Sequence, residues 1–161
     1  LGRAGQGTHA ECMLKAEGAM RSGSGLQKLR SMVADQGGDV TVIDDPAKFA
    51  PAKASGTVVA PRDGYITAMD TEGIGISSVV LGAGRETKED AIDHAAGIIL
   101  RAKTGAVVKA GDVLAELRAA DEEKVEKARQ MYLEAITIGD AKPQPIPLVQ
   151  ARVTVDGVEK F

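Results

Sequence analysis

Two glycines and an arginine gathered in one loop are the residues whose types and spacing are best suited to act on a ligand. They lie in Leu81-Gly82-Ala83-Gly84-Arg85-Glu86-Thr87-Lys88-Glu89-Asp90-Ala91-Ile92-Asp93. Gly82 and Gly84 admit positive φ, and the missing Cβ at Gly84 lets a neighbour or a ligand approach the backbone. Arg85 adds a planar fork of donors matched to carboxylate or phosphate. A dinucleotide-binding glycine loop follows a strand and opens a helix, whereas this one closes a helical-looking run, so the spacing does not point to that chemistry. The plainer reading is a helix C-cap at Gly82 followed by a solvated, charged loop.

Other reactive groupings are sparse. Asp90, Asp93 and His94 form the one metal-like cluster; on a helix Asp90 and His94 would share a face and Asp93 would not, so surface charge is the expected role. His9 stands beside a helix start, where a lone histidine is a surface residue. The sequence has no Gly-x4-Gly-Lys-Ser/Thr phosphate loop, no Cys-x2-Cys pair, no His-Glu-x2-His and no Gly-x-Ser-x-Gly elbow. No metal or cofactor is therefore expected. Cys12 is the single cysteine, which excludes an internal disulfide and fits a small apolar packing role in a reducing, cytoplasmic setting. A net charge of -3 and 2% aromatic content give neither a basic footprint nor a stacking platform for nucleic acid. No run approaches the roughly 20 apolar residues that cross a bilayer, so no membrane partner is expected. The opening, Leu1 with Gly2, Gly5 and Gly7, reads as a cut end, and the chain is expected to be a fragment.

The elements that must position the loop follow from periodicity. Thr8 and Glu11 form a capping box ahead of Cys12, Met13, Ala16, Ala19 and Met20, which predicts a helix from about Thr8 to Arg21. After Ser22-Gly23-Ser24-Gly25, the residues Leu26, Leu29, Met32 and Val33 mark a second helix ending at Gly37-Gly38. Val40 to Ile43 reads as a short strand, and Asp44 to Pro51 as a proline-rich connector. From Ser55 the period falls towards two. Thr57 to Ala60 and Tyr65 to Met69 are expected strands about a Pro61-Arg62-Asp63-Gly64 turn. Thr71 is read as the cap of a short helix through Leu81, with Gly73 and Gly75 tolerated through close packing on a sheet. Beyond the loop, Ile98 to Leu100, Val107-Val108 and Val113 to Leu117 predict short strands joined by glycine turns, a coiled β unit closed or nearly so. Asp121 is the next N-cap, with Val125, Ala128, Tyr132, Ala135 and Ile136 on one face of a helix ended by Gly139. Pro143, Pro145 and Pro147 enforce an extended segment, and Leu148 to Val155 reads as a final strand turning at Asp156-Gly157.

The expected class is thus α+β, in three parts: residues 1-53, a helical hairpin and connector; 54-120, a barrel-sandwich-like β unit with an inserted helix and loop; and 121-161, a helix and terminal strand completing the same domain. Val58 to Ile66 paired with Val107 to Leu117 also looks like the two halves of a biotinyl or lipoyl carrier. Such carriers present a lysine at a hairpin tip, and Ala68-Met69-Asp70 has none beside it, so a carrier or another barrel-sandwich binding module is the alternative reading.

Taken in order, several segments closely resemble the C-terminal part of the pyrimidine-nucleoside phosphorylases, thymidine phosphorylase included. They are Ser22 to Leu29, Gln36-Gly37-Gly38-Asp39, Ile43-Asp44-Asp45-Pro46, Ala60 to Tyr65, Ile74-Gly75, Leu81 to Arg85, Lys88-Glu89-Asp90, Ile92-Asp93, Val107 to Gly111 and Pro147-Leu148. The resemblance runs over nearly the whole chain. It implies that the parent enzyme cleaves thymidine or uridine with inorganic phosphate as co-substrate, giving free base and (deoxy)ribose 1-phosphate, with catalysis resting on positioning and electrostatics. It places the phosphate- and base-binding groups in a preceding helical domain, so no catalytic residue is assigned to this chain. The resemblance makes Gly82, Ala83, Gly84 and Arg85 a substrate-cleft loop and implies a homodimer of the full-length protein.

Overall fold

A computed structural model describes residues 1, 4–85 and 87–161; Gly2, Arg3 and Glu86 lie outside the described residues. The chain divides into two compact units, Leu1–Ala50 and Pro51–Phe161.

The first unit is helical. In α1 (His9–Arg21) the capping box forms: the Thr8 N–H donates to Glu11 Oε2 at 2.8 Å, and the Glu11 N–H donates to Thr8 Oγ1 at 3.4 Å. Those bonds to Thr8 hold the Glu11 carboxyl below its usual pKa. Cys12 is buried and unpaired with another cysteine, as its solitary occurrence predicts. Gly23, at φ 75°, makes the sharp turn into α2 (Ser24–Asp35). At the far end Gly37, also at φ 75°, and the Gly38 N–H, bonded to the Val33 carbonyl at 2.8 Å, close the helix.

The expected strand at Val40 to Ile43 is instead the single turn α3 (Thr41–Asp44). Asp39 explains the difference, because its carboxylate accepts the Thr41 N–H at 2.8 Å and starts a turn where no neighbouring strand offers a ladder. Arg30 then ties α2 to α3 through Asp44 at 2.8 Å.

The second unit contains two antiparallel three-stranded sheets and a separate hairpin. Its strands are β1 (Ala54–Val59), β2 (Gly64–Met69), β3 (Gly97–Leu100), β4 (Val107–Val108), β5 (Val113–Ala119), β6 (Ile136–Gly139), β7 (Ala151–Thr154) and β8 (Gly157–Lys160). One sheet has the order β1-β5-β3, the other β4-β2-β6, and β7 pairs with β8. The expected coiled β unit thus takes the form of two open sheets. Two of the places where the chain crosses from one sheet to the other are the corners Ala60–Asp63 and Lys109–Asp112. The corners hold each other: the Ala60 N–H donates to the Asp112 carbonyl at 2.8 Å, the Gly111 N–H to the Ala60 carbonyl at 2.9 Å, and the Ala110 N–H to Asp63 Oδ1 at 2.8 Å.

Val58, Ile66, Leu81, Leu114, Leu117 and Tyr132 are the largest apolar side chains sealed in the core between the sheets and helices. Helix α5 (Glu122–Glu134) docks through Val125, Ala128 and Tyr132, one stripe at helical spacing. Asp121 caps it, accepting the Lys124 N–H at 2.9 Å. The helix ends earlier than its apolar face predicts. Ile136-Thr137-Ile138 leave it to form β6, which completes the sheet by pairing with β2 from Tyr65↔Gly139 to Met69↔Ile136. β-branched residues facing an open strand edge favour the ladder over another helical turn. The terminal strand is also shorter than expected and is one arm of the hairpin β7–β8, which places Gly157 in the second arm.

Candidate functional site

The glycine loop begins where α4 (Thr71–Ser78) loosens. Asp70, not Thr71, caps that helix, with Oδ1 accepting the Glu72 N–H at 3.1 Å. The helix runs on as a π-turn over Val79–Ala83. Such wide turns recur at functional sites because they push side chains out of helical register. Leu81 is wholly buried and anchors the turn in the core. Gly82 follows at φ 108°, ψ 4°, reversing the chain as the C-cap reading predicts, and Gly84 is extended at φ -139°, ψ -176°.

The two glycines serve different ends. Gly82 supplies a backbone angle that side chains resist. Gly84 supplies room, since a Cβ there would stand 2.8 Å from Val79 Cγ2. The group approaching Gly84 is therefore a neighbouring valine. Ala83 is half-buried between them and Arg85 is exposed.

The loop is pinned at its neck and braced at its tip. The Asp93 N–H donates to the Gly82 carbonyl at 2.9 Å, bringing the two ends of the excursion together. Farther out, Thr87 donates its N–H to Asp90 Oδ2 at 2.8 Å and its hydroxyl to Oδ1 at 2.9 Å. Asp93 Oδ1 accepts the Ala95 N–H at 2.9 Å. Beneath the loop lies a cavity of about 330 Å³ bordered by Val79, Val80, Gly82, Gly84, Asp90 and Lys124. Lys124 comes from the first turn of α5, far along the chain from the loop. By sequence alone it belongs to the acidic start of that helix, and only the packing of α5 against the π-turn brings it to the loop. No pattern in the sequence links the two.

The remaining sequence candidates separate. No helix covers Asp90 to His94, so the face that Asp90 and His94 would share on a helix does not form. Asp90 and Asp93 are occupied in turns, and among the described residues no cluster of three or more His, Cys, Asp or Glu is arranged to hold a metal. The alternative carrier reading is not favoured: Met69 ends β2 and Asp70 immediately caps α4, leaving no hairpin tip on which a modified residue could swing.

Residues 65–139 match the family model described as the pyrimidine nucleoside phosphorylase C-terminal domain. The chain is 38% identical over 138 residues to a pyrimidine-nucleoside phosphorylase of Geobacillus stearothermophilus, covering 86% of this chain and 32% of that protein. Its identity to the protein of that name in Bacillus subtilis (strain 168) is 38% over 122 residues, with coverage of 76% and 28%. A Staphylococcus epidermidis protein of the same name is 43% identical over 94 residues, covering 58% of this chain and 22% of the relative. The chain spans at most about a third of the length of these relatives.

Proposed function

From the premise that the chain belongs to the pyrimidine-nucleoside phosphorylases through their C-terminal domain, we propose that it forms the part of such an enzyme that closes over the substrate cleft. The parent reaction is phosphorolysis of thymidine or uridine to free base and (deoxy)ribose 1-phosphate, with inorganic phosphate as co-substrate and no cofactor. The groups that bind phosphate and base belong to the portion of the family that this chain does not span. The parent protein acts as a cytoplasmic homodimer. In this reading Gly82, Ala83, Gly84 and Arg85 form the loop that meets the cleft.

The observation that carries the proposal is the construction of that loop inside the family-matched domain. A buried leucine and a neck hydrogen bond fix its base, while Arg85 stands exposed beyond two glycines. A fixed base with an exposed cationic tip suits a cover that must reach an anionic co-substrate and still exclude water.

The test is a chimera in which residues 51–161 replace the matching C-terminal part of the Geobacillus enzyme. A folded chimera that releases uracil or thymine in a phosphate-dependent reaction is the expected result. A folded chimera with no phosphorolysis above that of the truncated host sinks the proposal.

A further inference from the structure

Away from the glycine loop, a cavity of about 350 Å³ opens between the end of β2, the start of α4 and the turn after β3. Its lining is Met69, Thr71, Ile74, Leu100, Lys103 and Thr104. Met69 and Ile74 pack on the core from behind, and Leu100 is 38% exposed, so the floor is apolar, firmly backed and partly open to water. The rim is polar. Among the described residues, the side chains of Thr71, Lys103 and Thr104 make no hydrogen bond or ion pair within the protein.

That combination is selective. The chain carries 23 acidic against 20 basic residues, yet no carboxylate lines this cavity and one ammonium does. Two acids flank Thr71 in sequence, Asp70 and Glu72; neither lines the cavity, and Asp70 points its Oδ1 at the Glu72 N–H instead. Because Asp70 and not Thr71 caps α4, the Thr71 hydroxyl is left available. Lys103 is held in place by its own backbone. Its carbonyl accepts the Ala106 N–H at 2.9 Å, and the turn is clamped to β2 by Gly105 N–H to Ile66 carbonyl at 2.8 Å and Ile66 N–H to Ala106 carbonyl at 3.0 Å. The ammonium therefore starts from a preorganised anchor, which lowers the ordering cost of binding.

We propose that this cavity binds a small amphipathic carboxylate. The carboxylate pairs with Lys103 Nζ and accepts from the Thr71 and Thr104 hydroxyls, and the hydrocarbon lies on Met69, Ile74 and Leu100. An apolar pocket of this size with a few convergent polar groups is the usual form of a small-ligand site. The site is separate from the glycine loop and does not depend on the phosphorylase reading.

The experiment is a titration of the full chain with sodium octanoate, followed by methyl NMR, alongside 1-octanol as the uncharged counterpart. Expected are saturable shifts at Met69, Ile74 and Leu100, at least tenfold weaker binding of 1-octanol, and at least tenfold weaker octanoate binding in Lys103→Met. The proposal is overturned by any of three results: no saturable shifts in the millimolar range, saturable shifts at other methyls only, or equal affinity for octanoate and 1-octanol. All three are read on the unmodified chain, so they hold whether or not the variant folds.

Discussion

Arg85 and Tyr132 show how differently two side chains are constrained in this molecule. Arg85 is exposed at the far side of two glycines, so its removal disturbs little packing. In an active chimera, Arg85→Ala is expected to lower kcat/KM for phosphorolysis at least severalfold while the melting temperature stays unchanged. A purely structural ion pair would give the reverse, a lower melting temperature with intact kinetics. Tyr132 is wholly buried, and its hydroxyl has no hydrogen-bond partner among the described residues. Burial disfavours the phenolate and pushes its pKa above the ordinary tyrosine value. Removing an unsatisfied buried hydroxyl eliminates its desolvation cost, so Tyr132→Phe is expected to stabilise the chain by about 1 kcal/mol in urea unfolding at neutral pH. The pH dependence follows from proton uptake. Above about pH 10 the unfolded tyrosine loses its proton while the folded one keeps it, so the unfolded state binds fewer protons and stability falls as pH rises. Denaturation measured across that range should show a shallower decline in Tyr132→Phe.

At the scale of elements, glycines separate the positions where geometry is compulsory from those where it is not. Gly64 opens β2 at φ 149°, and a Cβ there would lie 2.6 Å from the Gly139 carbonyl oxygen on β6. Both the angle and the contact oppose a side chain, so Gly64→Ala should cost about 2 kcal/mol or more and loosen the β2–β6 pairing. Gly75, on the exposed side of α4, has no atom within 4 Å of a would-be Cβ. Gly75→Ala is expected to stabilise by about 0.5–1 kcal/mol, as alanine does in an open helix. Chemical denaturation of the two variants should therefore move the midpoint in opposite directions. Close packing on a sheet, the expected reason for tolerating Gly73 and Gly75, holds for neither. Gly73 faces Asp70 and Ala135, with a would-be Cβ 3.1 Å from Ala135 Cβ, so its close neighbours are the N-cap of α4 and the end of α5.

For the whole molecule, the balance between enclosed and open surface matters most. The first unit buries only Cys12 among its described apolar side chains, while Met13, Leu14, Met20, Leu26 and Met32 are each about half-exposed or more. The second unit has a closed core, but Leu148 and Val155 beyond it are fully exposed. No described helix is long and apolar enough to cross a membrane. If, as proposed, the phosphate- and base-binding groups lie outside this span, the chain assayed by itself is expected to release no base from thymidine or uridine in phosphate. Turnover by a contaminant-free sample would place those groups within these residues after all.

The sequence by itself determined the α+β class, both helix caps at Thr8 and Asp121, the strand-turn-strand from Thr57 to Met69 and the family, because each is written in neighbouring residues or in ordered motifs. It also marked the loop from Gly82 to Arg85, since glycine and arginine declare their backbone and side-chain chemistry locally. Tertiary structure alone decided where α5 stops, because Ile136 to Gly139 suits either helix or strand until the edge of β2 is beside it. It decided that Lys124 and the loop share a cavity. It also left Lys103, Thr71 and Thr104 around one apolar floor. Those outcomes depend on which distant surface meets which, and no spacing along a single chain encodes that directly.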